Sequence, residues 1–184
     1  MLFTDLAGFT SFSERSTSGD VAELLGAYYA VAAPLISRPF GGEIEKFMGD
    51  GIMATFNSRG DQPDHAVRAA RAGLALQREF GRLADEHSGW PRLRVGVNTG
   101  EAVLRELGGQ GHVTYALVGD TINAGSRLEG QAPLDSVLIG AETYRQLPGG
   151  TVVRAMGGLR VKGKERPLEA YVLHALPGDR GVGV

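Results

Sequence analysis

The stretch GGEIEKFMGDGIMATF, residues 41–56, restricts this chain more than any other. Two apolar-rich runs, Glu43–Met48 and Ile52–Phe56, meet at Gly49-Asp50-Gly51 and predict a pair of strands. An Asp-Gly pair between such runs is a strong hairpin signal, because tight hairpin turns need backbone angles that glycine tolerates. As a turn former Asp50 needs no further role, but a second carboxylate changes the balance. Asp5 interrupts the apolar run LFTDLAGFT at the end of a predicted buried strand, Leu2–Leu6. A carboxylate there is costly unless it is paired, hydrogen-bonded or bound to a metal. Hard divalent cations such as Mg2+ take few carboxylate oxygens and fill their remaining positions with water and substrate phosphate. Asp5 and Asp50 could supply such a site if their strands are neighbours.

The rest of the chain supplies the elements around this pair. Gly8-Phe9-Thr10 turns into a Ser/Thr-rich helix, whose exposed N–H groups could receive phosphate oxygens; Thr10 and Ser11 could equally be capping residues. Val21–Ile36 carries apolar residues three and four apart and predicts an amphipathic helix, ended by Pro39 and Gly41-Gly42. Asp61-Gln62-Pro63 opens a second, alanine-rich helix suited to close packing on a sheet. Leu93–Val97 predicts a strand whose Arg94 needs a carboxylate or an anionic ligand. Strands at Glu101–Leu107 and His112–Val118 flank Gly108–Gly111 and predict a projecting hairpin. That glycine run lacks the Lys-Ser/Thr and helix of a phosphate-binding loop. Asp120 is a plausible cap for a helix on which Asn123 and Arg127, four apart, share a face. Strand Ser136–Ile139, helix Ala141–Leu147 and strands near Val152–Ala155, Gly158–Val161 and Leu168–Leu173 complete an α+β pattern with a mostly antiparallel sheet covered by helices.

The 184 residues suit one domain with a substantial core, and a net charge of −2 provides no basic field for nucleic acid. The absence of cysteine excludes disulfides and thiolate metal sites. The four histidines are dispersed, without metal-ligand spacing. No apolar run is long enough to span a membrane, and a cytoplasmic location is expected. Met1 abuts the first predicted core strand, so a catalytic chain trimmed from a longer or membrane-attached protein is expected. Residues 1–176 should form the domain and the Gly-rich 177–184 a flexible tail.

Four blocks in order, FTDLAGFTSFSE, EKFMGDGIMATF, LRVGVNTGEAV and VGDTINAGSRLE, with a fifth near VKGK, closely resemble the catalytic domain of class III nucleotidyl cyclases. The resemblance runs from Leu2 to about Leu173. It implies a ferredoxin-like palm core with a hairpin arm, and conversion of ATP to 3′,5′-cyclic AMP and pyrophosphate. Asp5, Asp50 and the backbone of Leu6 match the ligands of two divalent cations, Mg2+ or Mn2+. Gly8, Phe9 and Thr10 match the phosphate cradle, with Arg94 and Lys162 as further phosphate contacts. Asn123 and Arg127 match the catalytic pair that positions the ribose and stabilises the α-phosphate. Lys46 and Ala116 fall at the purine-selecting positions, where Ala116 departs from both the Lys-Asp pattern of adenylyl cyclases and the Glu-Cys pattern of guanylyl cyclases. The resemblance further implies a homodimer with two shared sites. A guanylyl cyclase and a degenerate nucleotide-binding domain are the alternative readings. GGEIE superficially resembles the signature of diguanylate cyclases, but it lies upstream of the hairpin tip that such a signature should occupy.

Overall fold

A computed structural model describes residues 1–109, 112–160 and 167–179, with backbone alone for 107–109 and 112–115. The sheet is built on β1 (Leu2–Ala7), β2 (Glu43–Phe47), β3 (Ile52–Thr55), β4 (Arg92–Val97), β7 (Ser136–Gly140), β8 (Val152–Leu159) and β9 (Leu168–Ala175). Their order is β2-β3-β1-β4-β7-β9-β8, and every pairing is antiparallel except β4 with β7. The first four strands alternate with helices as β-α-β-β-α-β, the connectivity of a ferredoxin-like palm. A separate ribbon, β5 (Val103–Gly109) with β6 (His112–Val118), forms the predicted arm.

Helix α1 (Phe9–Arg15) follows β1, and α2 (Ser18–Ser37) and α3 (His65–Glu86) cover one face of the sheet. The period-two alternation of the strands sends Leu2, Leu6, Ile52, Ala54, Val95 and Val97 into the core beneath them. Helix α2 begins at a reciprocal cap, with Thr17 accepting from Asp20 N–H and Asp20 accepting from Thr17 N–H. The opposite face of the sheet carries α4 (Asp120–Gln131), over a second apolar cluster of Leu128, Ala132, Leu138, Ala170 and Val172. Gly96 permits that contact: a Cβ there would stand 2.3 Å from the Glu129 nitrogen, so α4 rests directly on β4. Helix α5 (Ala141–Arg145) packs beside β7 and β9.

Three element boundaries are corrected. The run expected to form two strands around Met156-Gly157 is one strand, β8, with a register shift between Ala155 and Gly157 and φ of +75° at Gly157. The cap of α4 is Gly119, with Asp120 the first helical residue. Helix α3 starts at His65 rather than at Asp61-Gln62-Pro63, because Asn57 and Gln62 first close a loop through mutual side chain to backbone hydrogen bonds. The turn at Pro177–Asp179 is held by Arg71, which donates to the Pro177 carbonyl at 3.2 Å and pairs with Asp179.

Candidate active site

The hairpin joining β2 and β3 places Asp50. Met48 and Gly51 close a two-residue loop, Gly49-Asp50, with Met48 N–H donating to the Gly51 carbonyl at 2.8 Å. Gly49 has φ of +70°, the conformation required of the first loop residue in a type II′ turn. Gly51 serves a different purpose. A Cβ there would lie 2.5 Å from the Thr4 carbonyl oxygen, so only glycine lets the hairpin tip lie against β1. Below this contact Thr4 Oγ1 accepts from Ile52 N–H at 2.9 Å and hydrogen-bonds the buried Tyr28 hydroxyl of α2. The Tyr29 hydroxyl donates to the Gly49 carbonyl, and its ring meets Phe47 edge-on at 4.7 Å. The tip is therefore braced from β1 and from α2.

In the β1–β3 register Thr4 faces Ile52, which brings Asp5 and Asp50 to the same end of the pairing. Their charges interact: burial raises the Asp50 carboxyl above its ordinary range, and the adjacent Asp5 carboxylate raises it further. Across β1 from this pair, Arg94 of β4 stands opposite Asp5 and donates from Nη2 to Oδ2 at 2.5 Å. Arg94 Nη1 donates to the Gly130 carbonyl at 3.4 Å, and Nε lies 3.6 Å from Glu129 Oε1. The last separation is too long for a hydrogen bond, and both atoms are buried without a partner. Burial raises the Glu129 carboxyl to about 7, with the Asp5 charge adding to the effect and Arg94 opposing it. The site thus holds three carboxylates and one guanidinium.

Glu129 was not singled out by sequence reasoning. It lay inside the SRLE block, and the unmet need of Arg94 for an anion was the one signal that could have led to it. The structure assigns that need two carboxylates, from β1 and from α4.

Helix α4 presents different residues on different sides. Thr121, Ala124, Gly125 and Leu128 are buried on the sheet, and Glu129 reaches from their edge towards Arg94. Successive residues advance by ~100°, so Asn123 and Arg127 share a side well round the helix from Glu129. Asn123 is exposed and Arg127 partly so. They do not join Asp5 and Asp50 within the chain.

The remaining predicted residues are distributed around the carboxylates. Gly8, with φ of +85°, is the cap of α1; Phe9 packs on the core and Thr10 is exposed. The Leu6 side chain is buried in the core, which leaves only its backbone available to a ligand. Lys46 is exposed on the edge strand β2, opposite Met53, beyond a bulge at Glu45. Ala116 lies on the arm opposite Arg105. Their neighbours Glu45 and Leu117 line one cavity of about 410 Å3 between β2 and the base of the arm. Lys162 lies outside the described residues.

The carboxylate pair suits a hard cation. The Asp5 charge that raises the cost of ionising Asp50 is relieved by a cation between the two. Among the described residues no group of three or more His, Cys, Asp or Glu could hold a metal ion. Two carboxylates are nevertheless enough for Mg2+, which keeps several waters and takes substrate phosphate oxygens.

The family model for the adenylate and guanylate cyclase catalytic domain matches residues 1–175. Adenylate cyclase 1 of Rhizobium meliloti (strain 1021) is 32% identical over 176 residues, 92% of this chain and 26% of that protein. The chain therefore spans about a quarter of the length of that curated relative. The crystal structure of the adenylyl cyclase CyaB from P. aeruginosa matches with a TM-score of 0.86 and 28% identity, over 98% of this chain and 95% of that one. The crystal structure of the guanylyl cyclase Cya2 matches with a TM-score of 0.84 and 28% identity, over 97% and 92%. Among the described residues no helix is long and apolar enough to cross a membrane.

Proposed function

Because this chain belongs to the adenylate and guanylate cyclase catalytic domain family, we propose that it converts ATP to 3′,5′-cyclic AMP and pyrophosphate. The observation that carries this reading is the meeting of the Asp5 and Asp50 carboxylates beside Arg94. Asp5, Asp50 and the backbone of Leu6 would hold two divalent cations, Mg2+ or Mn2+; when bound, these acidify a hydroxyl nucleophile and neutralise a departing pyrophosphate. The ribose 3′-oxygen attacks the α-phosphorus in line, its proton is lost, and the bond from the α-phosphorus to the bridging oxygen of pyrophosphate breaks. The turn Gly8-Phe9-Thr10 offers backbone N–H groups to the β- and γ-phosphates, and Lys162 and Arg94 add positive charge.

Asn123 orients the ribose, and Arg127 stabilises charge developing on the α-phosphate. The side of α4 that carries them is turned from Asp5 and Asp50 of the same chain, which supports a two-fold homodimer in which each supplies the other's site. Lys46 favours adenine, because an ammonium only donates and adenine N1 only accepts. Ala116 provides no acceptor for the adenine amino group, so selection against GTP is incomplete.

The test is direct. Purified chain with Mg2+ or Mn2+ should form cyclic AMP and pyrophosphate in equal amounts from ATP, faster than cyclic GMP from GTP, and Asp50→Asn should form neither. A folded chain that makes neither product with either ion would refute cyclisation, while faster turnover of GTP would refute the choice of base alone.

A further inference from the structure

Arg94 is held unevenly. Its Nη2 donates to Asp5 at 2.5 Å, while on the other side it meets α4 through the longer Gly130 contact and an unclosed 3.6 Å approach to Glu129. Nε and Oε1 are both buried without a partner. A buried donor and a buried acceptor left facing each other just beyond bonding distance cost free energy that a small shift of the guanidinium would recover. That shift draws Arg94 away from Asp5. The backbone fixes the direction of the choice: Arg94 stands on β4 between Asp5 on β1 and Glu129 on α4, and Gly96 sets α4 directly on β4.

We propose that Glu129 is a positioning residue that takes the Arg94 guanidinium from Asp5, freeing the Asp5 carboxylate for a cation while keeping Arg94 in the site for anionic phosphate. The proposal rests on the assignment of Asp5 and Asp50 as cation ligands. Without Glu129, Asp5 would be the only carboxylate among the described residues within ion-pair distance of Arg94, and cation binding would have to break that pair uncompensated. A charged partner removed from a half-buried pair is not replaced by water at equal energy. Glu129 makes the exchange between two carboxylates rather than between a carboxylate and none.

The experiment reads Mn2+ affinity of the purified chain from the electron paramagnetic resonance signal of free Mn2+, without nucleotide or turnover. Glu129→Gln, which preserves shape and removes charge, should weaken Mn2+ binding three- to tenfold. Arg94→Met removes the competitor for Asp5, and in that background Glu129→Gln should have an effect at least threefold smaller. Arg94→Lys keeps the charge on Asp5 but has no second nitrogen with which to meet Glu129, and it should weaken Mn2+ binding as Glu129→Gln does. Thermal melts establish that each variant is folded, and the Lys variant decides the matter if the Met variant is not. An equal effect of Glu129→Gln with and without Arg94 would show a direct field of Glu129 on the cation and overturn the proposal, as would no effect at all. Mn2+ binding unchanged in Asp50→Asn would instead overturn the cation assignment, and this inference with it.

Discussion

Gly51 and Thr4 touch where no side chain fits: a methyl group on Gly51 would stand 2.5 Å from the Thr4 carbonyl oxygen. Because that oxygen is backbone within β1, Gly51→Ala must displace the hairpin tip. The expected cost is about 1–3 kcal/mol of stability, the usual range for overpacking. Turnover should fall much further than stability accounts for, because Asp50 moves away from Asp5. Thermal melting and cyclase assays on the same preparation test this; an alanine variant with normal activity would show that the tip position does not matter.

Without divalent cations, stability should fall as pH rises from about 4.5 towards 6. Burial raises Glu129 from 4.5 to about 7 and raises Asp50 in the same direction. In that window the folded chain holds protons that the unfolded chain has released, so raising pH favours unfolding. Asp64, Glu79 and Glu142, held low by surface arginines, act below the window, while the buried N-terminal amine, lowered to about 6, and His65, also lowered by burial, act in the opposite sense towards neutrality. Melting temperatures across this range should show the decline, Glu129→Gln should flatten it, and Asp50→Asn should raise the value at pH 7.5. A melting temperature that climbs with pH would contradict the charge arrangement.

Asp50→Ala and Arg127→Ala chains should each be inactive alone and partly active when mixed. Random re-association puts half of the dimers in the mixed form, each with one intact site, so recovery should approach about a quarter of wild-type activity. Mixed dimers that form but stay inactive would rule out shared sites.

Ala116→Asp should sharpen the preference for ATP. Restoring one acceptor for the adenine amino group is worth about 0.5–1.5 kcal/mol, or about two- to tenfold in the ratio of kcat/KM for ATP over GTP. An unchanged ratio would place residue 116 away from the base.

The central strands and the hairpin were legible because their signals are local: apolar alternation, an Asp-Gly turn, and a carboxylate stranded in a buried run. Arg94 was legible as a residue in need of an anion, whereas Glu129, its partner from α4, was not. Their meeting depends on how deeply α4 sits on β4, and that depth is set by Gly96, whose role is invisible without the neighbour it admits. The bulges at Glu45 and Met156 were hidden for a similar reason, since a bulge is a property of the pairing and not of one strand. Met156-Gly157 reads as a break in the sequence where the strand only kinks.

Helix α4 has one more consequence. Glu129 faces Arg94 of its own chain from one side, and Asn123 and Arg127 project from another. In the proposed dimer that makes a single rigid rod the wall between two reaction chambers. A substitution that shifts the seat of α4 on β4 would then disturb Arg94 in one chamber and Arg127 in the other. One substitution on α4 would wound both chambers at once, and dilution to monomers would abolish turnover in each.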